Sequence, residues 1–202
     1  MNAYQSEQLE ALRMVRRHLN ALTDAELTAL KAEIVDYQAF RSQVGSFLDA
    51  HFKGICTEKC FAGRLSACCS KDGIIAFFAD VAVNALASDD ADLDRIEAAI
   101  QRQASAVKCI FLSEHGCLWR IKPVVCAFFL CDEAENRAFG DDPEAAAKWA
   151  ALKEMKKDFT WPDKPVLFER LEDFFISRGC RSSLMYLHFS PGLSKIRQSR
   201  HF

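Results

Sequence analysis

The chain begins with an apolar stripe at helical spacing, Leu9, Leu12, Val15, Leu19 and Leu22, with Arg13, Arg16, Arg17 and His18 mostly off that line. Recurrence every three or four residues places those apolar side chains on one face of an amphipathic helix. Thr23-Asp-Ala-Glu26 follows with a capping-box pattern, in which the hydroxyl and the carboxylate satisfy the first amides of a new helix. A second stripe runs Leu27, Leu30, Ile34, Tyr37, Phe40, Val44, Phe47 and Leu48. Two helices joined by so short a break predict an antiparallel hairpin over about residues 5–50. Stripes of this kind predict core rather than a partner-binding face.

From His51 to Asp72 the periodicity disappears, and a cysteine-rich stretch containing Gly54 and Gly63 reads as irregular loop. Ile74 to Leu86 is apolar almost all round, Ser88-Asp89-Asp90 marks a break and cap, and Leu93, Ile96 and Ile100 share a face of the next helix. The aspartates at 89, 90, 92 and 94 lack the glycine and later glutamate of a calcium loop, so capping accounts for them. Cys109-Ile-Phe-Leu112 and Cys117-Leu-Trp-Arg-Ile121 flank a turn-like Ser113–Gly116, which predicts a small β-hairpin with His115 as a turn residue. Asp142-Pro143 starts a helix whose buried stripe is Trp149, Leu152, Met155 and Phe159. Another helix carries Leu167, Phe168, Leu171, Phe174 and Phe175 and ends at Gly179, with Leu184 to Phe189 continuing helically. The expected fold is mainly α, a helical scaffold flanking an irregular cysteine-rich segment. It divides into an N-terminal helical hairpin (1–53), a cysteine-cluster metal-binding segment (54–133), and C-terminal helices with a basic tail (134–202), together one compact unit.

Composition narrows the function classes. At 202 residues, half apolar and 27% charged, the chain can bury a sizeable core. Its 26 Lys and Arg nearly balance 28 Asp and Glu, so no overall charge draws it to nucleic acid or membrane. Beyond Asp173 the chain is free of acidic residues while Arg178, Arg181, Lys195, Arg197 and Arg200 accumulate, a basic tail read here as a solvated terminus. The N-terminus has no basic start followed by an apolar run, and the longest apolar stretch, Gly73 to Ala87, is interrupted by Asp80 and Asn84. That stretch is short of the ~20 residues that cross a bilayer, so the expected location is the cytoplasm, where thiols stay reduced.

Candidate chemistry lies in the cysteines, eight of nine falling between Cys56 and Cys131. Disulfides, a metal or iron-sulfur site, and thiol redox chemistry all gather thiols. A reducing compartment favours metal, with redox thiols and reduced core thiols as the alternatives. The spacing excludes a simple zinc ribbon, because only Cys126-x4-Cys131 approaches a knuckle. A C-x3-C-x2-C radical loop fails, since its third position is Gly63, and ferredoxin C-x2-C runs are absent. Irregular spacing suits an iron-sulfur cluster somewhat better than zinc. Arg120 and Lys122 are candidate partners for surplus thiolate charge, and Phe111, Trp119, Phe128 and Phe129 would exclude water. Adjacent thiols rarely bind one ion, so Cys68 and Cys69 divide between two roles. No phosphate loop, dinucleotide fingerprint, zinc-protease helix or nucleophile elbow is present, which disfavours an enzyme.

Cys56, Cys60, the vicinal pair Cys68-Cys69, Cys109 before Phe-Leu, Gly-Cys117, Lys122-Pro123 and Cys126-x4-Cys131 together resemble the CxxCxxCC cysteine-cluster proteins over about residues 54–133. That family is described as a zinc- or iron-chelating domain, and flagellin lysine methylases carry a related cluster. The resemblance implies Cys56, Cys60, Cys68, Cys69, Cys109, Cys117, Cys126 and Cys131 as ligands, with Lys122-Pro123 where the family has Arg-Pro. It implies zinc or iron, and the spacing adds an iron-sulfur cluster as one form of the latter; the expected role is structural, electron-transferring or partner-linked. The alternative is a methylase-like or thiol redox enzyme. The compact C-x2-C-x2-CC of the family is stretched here to C-x3-C-x7-CC.

Overall fold

The apolar stripes fold as helices and the protein is mainly α; the computed structural model describes residues 3–55, 76–102, 109–113, 116–160 and 166–185. Helix α1 (Ala3–Asn20) buries Leu9, Ala11, Leu12, Val15 and Leu19. Helix α2 (Asp24–Glu33) starts with the expected capping box, the Glu26 amide donating to Thr23 Oγ1 (3.3 Å) and the Thr23 amide to Glu26 Oε2 (3.0 Å). The second stripe is then cut at Ile34, after which α3 (Val35–Ile55) begins. Ile34 caps α2 at φ −95°, ψ −2°, while its side chain stays buried. Because the break keeps Ile34 in the core, the apolar pattern passes through it without interruption, and three helices replace the expected two.

The hairpin partner is also different, since α1 packs chiefly against α4 (Phe78–Ala87) and α5 (Asp90–Gln101). Arg13 and Arg16 on α1 reach Glu97 and Asp94 on α5 (2.7 and 2.8 Å), so these two basic side chains meet an acidic helix rather than a partner. Such partly exposed pairs each contribute ~0–1 kcal/mol, and apolar burial decides the docking. Gln5 Nε2 adds a clamp, donating to the carbonyls of Ile100 and Arg102 at the end of α5 (2.7 and 2.8 Å). As expected, Asp89 caps α5 by accepting from the Asp92 amide (2.8 Å).

Strands β1 (Leu112–Ser113) and β2 (Gly116–Cys117) pair antiparallel, Leu112 opposite Cys117 and Ser113 opposite Gly116. The hairpin is shorter than the sequence suggests. Cys109 precedes it, its carbonyl accepting from the Leu112 amide in a turn (3.1 Å). Next come α6 (Val124–Phe128), α7 (Asp132–Phe139), α8 (Pro143–Thr160) and α9 (Leu167–Ile176). Asp142 caps α8 through the Ala145 amide (2.9 Å). Gly179 takes φ +83° beyond α9, and the Cys180 amide donates back to the Phe175 carbonyl (3.0 Å), a left-handed closure that glycine adopts without Cβ strain. Two expectations fail here. Met155 is 38% exposed, so the buried stripe of α8 is Ala145, Trp149 and Leu152. Leu184 and Met185 lie in a turn closed on Ser182, not in a helix, and the basic tail beyond lies outside the described residues.

Aromatic rings join the pieces around α6. Phe128 stacks on Trp149 of α8 (5.1 Å between centroids) and on Phe40 of α3 (6.0 Å), and Trp149 stacks in turn on Phe47 (5.4 Å). Each such contact adds ~0.5–1.5 kcal/mol beyond area burial, so α6 is held from two sides. Among the described residues no helix is long and apolar enough to cross a membrane.

Candidate metal centre

Cys56, Cys60, Cys68 and Cys69 lie outside the described residues, as does His115. Cys109, Cys117, Cys126, Cys131 and Cys180 are described, each partly buried. Their positions follow from α4, whose apolar surface carries two buried polar side chains one turn apart. Asp80, 3% exposed, accepts from the Phe77 amide at the start of its own helix (3.0 Å) and from the Val124 amide at the start of α6 (2.9 Å). Asn84, 1% exposed, accepts from the Ile121 amide (3.1 Å). Arg41 of α3 holds the same strip from another side, donating through Nη2 to the Lys122 carbonyl and through Nη1 to the Tyr37 hydroxyl (both 2.8 Å). The backbone of residues 121–124 is thus fastened at three points, and Cys126 follows on the first turn of α6. Burial pushes the Asp80 carboxyl up to about 7, against the opposing pull of the two amides and of Arg41.

Cys109 and Cys126 both act electrostatically on Tyr4 of α1. Burial, and then the charges of Cys109 and Cys126, hold the Tyr4 phenol above its ordinary range. The Tyr4 hydroxyl is buried without a hydrogen-bond partner among the described residues, as are both amide atoms of Gln8 one turn later and the indole N–H of Trp119. A buried polar group left unsatisfied costs roughly 1–3 kcal/mol, and native chains place polar matter against it. Cys109 and Cys126 are the described thiols whose charges bear on this buried hydroxyl. Cys117 lies on β2, and Cys131 is the N-cap residue of α7. Cys109, Cys117 and Cys126 each have interactions beyond these. Among the described residues no three Cys, His, Asp or Glu side chains converge in a way that would hold an ion.

Other expectations are redirected. Arg120 is exposed, with its nearest acid Asp92 of α5 at 4.0 Å, and Lys122 has an exposed side chain, its carbonyl rather than its ammonium being engaged. Pro123, buried, is the N-cap residue of α6. Phe111 and Trp119 pack edge to face in the core at 5.3 Å, whereas Phe129 is 51% exposed and excludes no water. Cys180 approaches His18 instead, Sγ to Nδ1 at 3.9 Å, where burial and the nearby Arg178 hold the imidazole toward its neutral form.

No family model, curated protein or solved structure matches the chain. Asp80, Asn84, Arg41, Tyr4 and Gln8 are the residues of this site that the apolar stripes conceal. The signal for two of them was present, because Asp80 and Asn84 interrupt an otherwise apolar helix at a spacing of four, and polar groups on such a helix must be buried with partners.

Proposed function

We propose that this chain is a metal-binding cysteine-cluster protein that holds zinc or iron, in the latter case as an iron-sulfur cluster, through its thiolates. The observation that supports the reading is a buried Tyr4 hydroxyl, without a hydrogen-bond partner among the described residues, on which the charges of both Cys109 and Cys126 act. Four thiolates complete a zinc or cluster site. Cys117 and Cys131 are the nearest in sequence, and Cys56, Cys60, Cys68 and Cys69 are the further candidates. The ion would supply folding free energy to a cysteine-rich segment that has few apolar side chains of its own. The role is structural, electron-transferring or exercised through a protein partner.

Comparison of Cys126→Ser with Cys180→Ser tests this. The first should lower metal content and melting temperature, and the second should change neither, because Cys180, beyond α9, faces His18 of α1. Equal metal content in both variants and the parent contradicts the assignment.

A further inference from the structure

A cleft of about 450 Å³ runs between α3 and the 120–127 segment. Among the described residues its cations are Arg41, Arg120 and Lys122, against the lining carboxylate Asp49, with Asp92 of α5 4.0 Å from Arg120. Gln38 and Ser42 add neutral hydrogen-bonding groups, and the remaining lining is apolar. Arg41 is already oriented, its guanidinium fixed between the Tyr37 hydroxyl and the Lys122 carbonyl (both 2.8 Å) with two of its five N–H donors used. A fixed guanidinium flanked by two further cations suits a compact oxyanion, because no side-chain ordering opposes binding at that group.

Gly45 supplies a second, independent observation. It lies inside α3 and lines the cleft, and a Cβ built there meets nothing within 4 Å. Neither close packing nor a left-handed φ requires glycine at this position. Helix-interior glycine costs ~0.5–1 kcal/mol relative to alanine. What it provides here is room in the cleft wall.

We propose that this cleft binds a small organic oxyanion, a phosphate or carboxylate on a compact apolar body, with Arg41, Arg120 and Lys122 recognising the charge and Gly45 leaving space for the body. No cysteine lines the cleft among the described residues, so recognition here does not use the thiolates.

Phenyl phosphate and benzoate, titrated into the full-length protein and followed by calorimetry, test the proposal and distinguish the two head groups. One of them should bind saturably at one site with Kd below about 1 mM, more weakly as salt is raised. Gly45→Leu should abolish binding while leaving the melting temperature equal or higher, which separates occlusion of the cleft from unfolding. The Arg120→Glu, Lys122→Glu double variant should weaken binding on the order of tenfold or more. Absence of saturable binding for both probes overturns the proposal, and so does binding that Gly45→Leu leaves unchanged, which would be adsorption to surface cations.

Discussion

Replacing Asp80 by alanine removes two acceptors at once, those of the Phe77 amide that opens α4 and the Val124 amide that opens α6. Each buried donor left unsatisfied costs about 1–3 kcal/mol, so the deficit is roughly 2–6 kcal/mol in mildly acidic solution. Its pH dependence is the sharper consequence. Burial raises the carboxyl from 3.8 to about 7 in the folded chain, so between those values the native state holds a proton that the unfolded state has lost. Stability from this group is therefore complete below the unfolded value and is lost as pH rises through the folded one, at ~1.4 kcal/mol per pH unit. The alanine variant has no such slope, and its deficit should shrink by roughly 3 kcal/mol between about pH 5 and about pH 8. Urea denaturation of parent and variant at both values measures the difference, in which carboxylates common to the two chains cancel. A deficit that grows with pH would show instead that the two amides outweigh burial at Asp80. A deficit under about 1 kcal/mol at the lower pH would show that Asp80 does not fasten α6.

The same geometry yields further outcomes. Tyr4→Phe removes an unpartnered buried hydroxyl, so the metal-free chain should be equally or more stable to urea, whereas metal affinity measured by chelator competition should fall if that hydroxyl faces thiolates. Asn84→Ala leaves the Ile121 amide without its acceptor and should cost about 1–3 kcal/mol in denaturant unfolding. Gly179→Ala forces a Cβ onto φ +83° and should lower stability by ~1–2 kcal/mol in the same assay.

Helices were legible wherever a stripe met a cap, as at Thr23, Asp89, Asp142 and Gly179. The break at Ile34 was not, because a residue can leave the helical ladder and still point into the core, and periodicity records only the second property. Helix pairing was misread for a related reason: a short connection favours neighbours, yet α1 is drawn to α4 and α5 by a large apolar face and the Gln5 clamp. Within the candidate site, the residue types of Cys109 and Cys126 suggested thiolate chemistry, which the fold leaves as a proposal, and the direction of Arg120 and Lys122 could not be read. Charge alone does not tell whether a side chain turns to a sulfur or to an open cleft. Asp80 and Asn84 were visible as interruptions of an apolar run, and their task became evident only when the 121–124 backbone was seen beside them.

We propose that the thiolates hold a metal. Anaerobic purification followed by metal and acid-labile sulfide analysis tests it most directly. A thiolate metal site should yield iron with sulfide, or zinc without it, in near-stoichiometric amount. Protein prepared in this way that carries neither metal, with its thiols freely titratable in the native state, would contradict it.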